Sequence, residues 1–344
     1  MKLQLDIVQQ ALRAQLRAIP EDQKATPELL APLGLWGFSL PVEGGGLELG
    51  VGAAVIAWEE LGRRLTATSL TDTVLVADVA AAAGLGRLGV NWFERVAAGR
   101  VTSMLIGHRG AQLSLREDRL YGRSEAVPAP QAPVDDLFAV AETPSGATLF
   151  RVAGDDSAVC FREVEGGRGV GEYVLDGAKA GARACDWGEA HRLIGTALPA
   201  TWLRHAGYLL GTAERMLALT ARHVRQRQQF GKALLEFQSV SLRLAEIRAR
   251  IEAVRMLVHY GAWCLDTGED MREPSAAEAL AGAAELALHV SRTMMQLHGA
   301  YGMLLSSPTA QAYRTVAFEA VRFGTPSALW TAAGRTRLGM SHQG

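Results

Sequence analysis

The sequence is short of cysteine, of aromatic residues and of any excess of charge. Its three cysteines, Cys160, Cys185 and Cys264, are odd in number, far apart and without a CxxC pair, which argues against a disulfide framework or a zinc site. No run reaches the roughly 18 apolar residues of a membrane span. The opening MKLQLDIVQQALRAQLRAIPEDQK lacks the unbroken apolar core and small-residue cleavage site of a secretory signal, so a cytoplasmic location is expected. With 35 basic and 36 acidic residues the net charge is −1. No overall field therefore draws the chain to nucleic acid, and an anionic ligand has to be held by local groups. What is present is apolar bulk: 49% hydrophobic and 21% charged residues with few aromatics suggest many close-packed helices. At 344 residues the chain exceeds the roughly 100–200 of one domain, so two or three packed units are expected.

Texture changes twice along the chain. Residues 1–103 read as a small helical domain, with a helical run over 51–64 and a Gly-rich loop over 41–46. That loop lacks the Lys-Ser/Thr of a P-loop and a preceding strand, so it is not a phosphate cradle. Residues 104–198 alternate short β-branched or aromatic runs with Pro, Gly and Asp turns, the pattern of antiparallel strands. After Pro199 a helical period runs to residue 344. Val240, Leu244, Ile247, Ile251, Val254 and Val258 fall on one stripe; Ala276, Leu280, Ala283, Ala287, Val290, Met294 and Leu297 fall on a second. A capping box of Ser275 and Glu278 is expected to open that second helix. With the runs 202–222 and 309–320, four helices can share a core. The fold class is α+β, mainly α: a helical domain, a middle antiparallel β domain and a C-terminal four-helix bundle.

Arg227 stands at the end of the first bundle helix, followed by Phe230, Gly231 and, where the next helix opens, Gln238. A guanidinium can hold a pyrophosphate at two points, an aromatic ring can cover an adenine or flavin, and an amide both donates and accepts. Taken locally, the same residues also read as an ordinary helix C-terminus, with Gly231 ending the turn. Gln296-Leu297-His298-Gly299 closes the second striped helix, where Gly299 either admits a ligand close to the backbone or caps the helix. His205, His223, His259, His289 and His298 have no carboxylate at ligand spacing and read as packed or solvated, and the sequence offers no metal site. Arginines 215–255 are interleaved with Glu214, Glu236, Glu246 and Glu252, a salt-bridged face rather than a nucleic-acid stripe.

In this order and at these separations the segments resemble the acyl-CoA dehydrogenase family, which shows Arg-x-x-Phe-Gly, a nearby Gln, Gln-x-x-Gly-Gly-x-Gly and a final Glu-Gly-Thr. The likeness spans the chain, including Leu35-Trp36-Gly37-Phe38 and Glu59-Glu60-Leu61-Gly62-Arg63. It implies that Arg227, Phe230, Gln238, Gln296, Gly299 and Thr325 sit where the family contacts FAD, much of this set reaching the ADP half of a flavin held mainly by a neighbouring subunit. Ala300 and Met303 depart mildly from the family's pattern. Phe323 departs sharply. It stands where the family's carboxylate precedes Gly-Thr, and the alternative slot used by some members falls on Thr201, so no catalytic residue is expected in this chain. Glu319, a helical turn before Phe323, would lie about 6 Å back along the axis and is expected at the surface. The family's flavin-cradling stretch is reduced here to residues 105–111, Leu-Ile-Gly-His-Arg-Gly-Ala.

The resemblance therefore implies FAD-dependent α,β-dehydrogenation of an acyl-CoA, with this chain as the non-catalytic, FAD-site-completing subunit of a heteromeric enzyme. The partner would be a homologous subunit carrying the catalytic Glu, in an α2β2 assembly of the kind that acts on bulky thioesters such as steroid side chains. Two alternatives stand beside it: a homo-oligomeric dehydrogenase with a relocated base, and a non-enzymatic regulatory or DNA-binding member of the fold.

Overall fold

The computed structural model describes residues 6–20, 26–65, 70–109, 112–130, 133–164, 169–304 and 306–340. Its helices in chain order are α1 (Ile7–Ala18), α2 (Pro27–Leu30), α3 (Gly50–Arg63), α4 (Leu70–Ala82), α5 (Val90–Ala97), α6 (Ala190–Gln226), α7 (Gln238–Thr267), α8 (Arg272–His298), α9 (Pro308–Glu319) and α10 (Pro326–Arg337). Between α5 and α6 run β1 (Ser103–Ile106), β2 (Gln112–Arg116), β3 (Arg119–Arg123), β4 (Val127–Pro128), β5 (Asp136–Ala141), β6 (Thr148–Ala153), β7 (Val159–Glu163) and β8 (Val170–Lys179). The two-residue strands β9 (Gln228–Gln229) and β10 (Lys232–Ala233) follow α6. By contacts the chain forms two units, one of residues 1–25, 50–67 and 202–344, the other of residues 26–49 and 68–201.

The first unit is helical. Most of both apolar stripes faces inward: Leu244, Ile247, Ile251 and Val258 are buried on α7, and Ala276, Leu280, Ala283, Ala287, Val290 and Met294 on α8, while Val240, Val254 and Leu297 are half-buried. Glycine lets α3 and α6 touch backbone to backbone. A Cβ on Gly62 would lie 2.0 Å from the Tyr208 carbonyl oxygen, and one on Gly211 would lie 1.8 Å from that of Glu59. Gly211→Ala must push one helix off the other. A stability loss near the upper end of the ~1–3 kcal/mol of overpacking is expected, read as a lower urea midpoint at unchanged slope.

Two boundaries differ from the sequence reading. Helix α6 begins at Ala190 and carries Pro199 inside it. The carbonyl that Pro199 leaves without a partner belongs to Gly195, which is exposed to solvent and has open space around it. Helix α8 begins at Arg272 rather than at a Ser275 cap. Pro274 fits its first turn, where an N–H has no intrahelical partner anyway. Ser275 is buried within the helix and accepts a bond from Arg337 at 3.3 Å, while Glu278 pairs with the same guanidinium.

The second unit carries β1 to β8. One sheet has the order β1-β5-β6, β1 running parallel to β5. The other has the order β2-β3-β8-β4, with β7 on β8, and is antiparallel. Met104, Ile106, Leu120, Leu137, Phe150 and Tyr173 are among the side chains of its core. Asp136 is buried at the start of β5 and is satisfied by the Trp92 indole N–H at 2.9 Å and Arg151 Nε at 2.7 Å. Among the described residues no helix is long and apolar enough to cross a membrane. The three cysteines are free thiols.

Candidate functional site

Arg227 lies just past the end of α6 and is exposed. Its N–H donates to the His223 carbonyl at 2.9 Å, and its own carbonyl accepts from Leu234 at 2.9 Å. Between these bonds β9 and β10 form a two-residue hairpin, so Gly231 turns a hairpin rather than closing the helix. Phe230 and Gly231 take φ of +52° and +79°, the left-handed pair that a type I′ turn demands. Phe230 pays the steric cost of that conformation and remains 92% exposed at the tip. Lys232 Nζ sits 4.3 Å over the Phe237 ring, and exposed Gln238 opens α7 immediately after it.

The end of α8 meets the same place. His223 stacks on His298 with ring centroids 4.2 Å apart, which brings the Arg227 end of α6 to the helix end bearing Gln296 and Gly299. Gln296 and Gly299 are both exposed, and a Cβ on Gly299 would meet nothing within 4 Å. Arg227, Phe230, Gln238, Gln296 and Gly299 thus gather around one end of the helical unit. Thr325 does not join them. It is the N-cap of α10, its hydroxyl accepting from Ala328 N–H at 3.3 Å. Its near neighbour Phe323 contacts His205, and His205 and His223 are 18 residues apart on one helix, about 27 Å along the axis.

Around Phe323 the structure departs from expectation. Phe323 is 6% exposed, edge-on to His205 at 4.9 Å, and its carbonyl accepts from the Trp202 indole at 3.1 Å. Glu319 is 5% exposed rather than at the surface. Its carboxylate lies 3.2 Å from Arg322 Nη1 and 3.5 Å from His205 Nε2, while its carbonyl accepts from that same Nε2 at 2.8 Å. His205 therefore does have a carboxylate neighbour, contrary to its sequence reading. The partner comes from α9, far along the chain. Thr201, where the alternative acid slot was expected, is fully buried with its hydroxyl donating to Ala197 at 3.3 Å.

The turn after β1 is closed on itself. Gly107 takes φ +82°, and its N–H donates to Glu125 Oε2 at 2.7 Å. His108 Nδ1 lies 2.8 Å from Glu125 Oε1 and its side chain is almost wholly buried. Burial opposes the charge on Glu125, but His108 and the Gly107 N–H outweigh it and hold the carboxyl below its usual range. Nothing in the sequence pattern flagged this pair, which is 17 positions apart across two strands. Gly110 and Ala111 lie outside the described residues.

The model of the acyl-CoA dehydrogenase C-terminal domain matches residues 191–336. FadE27 of Mycobacterium tuberculosis, an acyl-CoA dehydrogenase, is 32% identical over 303 residues, 81% of this chain and 79% of that protein. The chain belongs to the acyl-CoA dehydrogenase family. Among solved structures, the ChsE4–ChsE5 complex of Mycobacterium tuberculosis matches with a TM-score of 0.82 and 26% identity, over 99% of this chain and 100% of that one. A variant of the Tcur3481–Tcur3483 steroid ACAD matches with a TM-score of 0.77 and 26% identity, over 96% and 97%.

Members of this family depend on FAD. The residues present fit one half of that cofactor. Arg227 and the amides of Gln238 and Gln296 are donors suited to a pyrophosphate and its neighbours, and open space at Gly299 lets a ligand approach the backbone. At the turn after β1 the Gly107 N–H is already taken by Glu125.

Proposed function

We propose that this chain is the non-catalytic subunit of a heteromeric acyl-CoA dehydrogenase and completes the FAD site of a homologous partner that carries the catalytic Glu. One contrast carries the reading. The ADP-binding donors stand exposed around the hairpin, whereas Phe323 and Thr201 fill the acid slots and the Gly107 N–H is taken by Glu125. FAD, when bound, would take up the β-hydride of the acyl chain as a carboxylate removes the α-proton. In this chain Arg227, Gln238 and Gln296 would hold the anionic half of the cofactor, with Phe230 against a ring. The likenesses to the ChsE4–ChsE5 complex and to a steroid ACAD support a partner subunit and a bulky acyl-CoA; an α2β2 assembly in the cytoplasm belongs to the same reading.

A chain built this way should hold little FAD when purified alone, and a full equivalent of tightly bound FAD on the isolated chain would overturn the shared site. In the assembled complex Arg227→Ala should weaken FAD binding by about 1.5–3 kcal/mol, roughly 10- to 150-fold, with folding intact. Fluorescence titration of stripped complex with FAD measures it. Unchanged affinity would return Arg227 to the role of a helix-end charge.

A second reading has one specific observation in its favour. Glu319 is a buried carboxylate beside His205, close to Phe323, so a relocated base in a homo-oligomeric enzyme is chemically conceivable. Its salt bridge to Arg322 argues for a structural part instead. A regulatory or DNA-binding part has no such support, since the charge is balanced.

A further inference from the structure

The stacked pair His223 and His298 has chemistry that the FAD reading leaves unused. Their ring planes are inclined by 20°. Nδ1 of His298 lies 2.8 Å from the Met294 carbonyl oxygen, and since a carbonyl only accepts, that nitrogen carries a proton. The neutral pair thus keeps one lone-pair nitrogen on each ring. Arg227 stands four residues beyond His223, one helical turn on and on the same side.

The groups that act electrostatically on His223 are His298, from α8, and Arg227, at the end of its own helix. Burial first, then these two, hold its imidazole below the ordinary value. Two imidazoles at this separation beside a guanidinium resist a further proton unless negative charge arrives to offset it.

We propose that His223 and His298 form a proton-linked contact to the anionic half of the dinucleotide that Arg227 holds. When the pyrophosphate binds, the His223 imidazole takes a proton from solvent and its lone-pair nitrogen becomes an N–H donor. No bond of the cofactor is made or broken. The inference rests on the reading of Arg227 given above. Binding then raises the pKa of His223, so the added affinity is complete below its free-state value and is lost as pH rises through its bound-state value. Between the two, the dissociation constant should change by up to about tenfold per pH unit.

Calorimetric titration of flavin-stripped assembly with FAD, in two buffers of different ionisation enthalpy near pH 6.5, counts the protons taken up. The pyrophosphate of FAD is a diester with no proton of its own to lose near neutrality. Wild-type assembly is expected to take up a measurable fraction of a proton, up to one per FAD, and His223→Gln and His298→Gln should reduce that uptake and flatten the pH dependence of affinity. Zero uptake by wild type, or equal uptake in all three proteins, overturns the inference. The wild-type count decides even if a variant fails to assemble. Should Arg227→Ala bind FAD as tightly as wild type, it is the location of the dinucleotide that fails; if that variant binds weakly while the proton count is zero, only the histidine contact falls.

Discussion

Arg255→Ala is expected to cost about 3–5 kcal/mol of folding stability, the range seen when one member of a buried ion pair is removed. Arg255 reaches Glu59 at 3.2 Å, Glu252 at 2.7 Å and Glu214 at still closer range. Glu59 is 0% exposed, so removing Arg255 leaves it, among the described residues, the longer contacts to Arg13 at 3.7 Å and Arg63 at 3.6 Å. Burial, despite Arg255, already raises the Glu59 carboxyl above its ordinary value. A raised acid favours the folded state below its unfolded pKa, and that contribution is lost as pH rises through the folded value. Without Arg255 the folded value climbs further, so the deficit of the variant should shrink as the pH is lowered toward the ordinary carboxylate range. Urea unfolding at several pH values reads this directly. A second change, Glu59→Gln, should recover part of the loss at neutral pH, because an amide carries no charge to leave stranded. A loss below about 1 kcal/mol, with no pH trend, would place the network among screened surface pairs.

The helical stripes were legible because a period needs only local sequence. Leu244 to Val258 and Ala276 to Met294 announce their buried face wherever the rest of the chain goes. Arg227, Phe230 and Gln238 were legible as a group, although the hairpin that displays Phe230 was not: two strands of two residues leave no alternation to detect. The sequence reading failed where a partner comes from far along the chain. Glu319 looked like a surface residue one turn from Phe323, but Arg322 and His205 make its burial tolerable, and His205 lies 114 positions away. His223 carried a signal that could have been used, since it precedes Arg227 by one helical turn. The Glu125 that seals the Gly107 turn carried none, for the two meet only once the strands between them pair.

The distinction between an auxiliary subunit and a relocated base comes down to Glu319 and Phe323. In the assembled enzyme Phe323→Ala and Glu319→Gln are expected to leave turnover within a few fold of wild type, because the working carboxylate would belong to the partner. Removing a true general base typically costs about 10²-fold or more, so the outcomes are well separated. Geometry favours the smaller effect. The Glu319 carboxylate is held by Arg322 at 3.2 and 3.4 Å and flanked by His205, and would have to give up these contacts to take a substrate proton. Glu319→Gln also takes a carboxylate away from the buried Arg322 guanidinium, so the variant should unfold at a lower urea concentration even while turnover persists. FAD content and assembly state must therefore be measured beside the rate. Turnover abolished by Glu319→Gln with FAD content and assembly unchanged would move the base into this chain and make it the catalytic subunit. A rate that falls only in step with lost assembly leaves the chemistry with the partner.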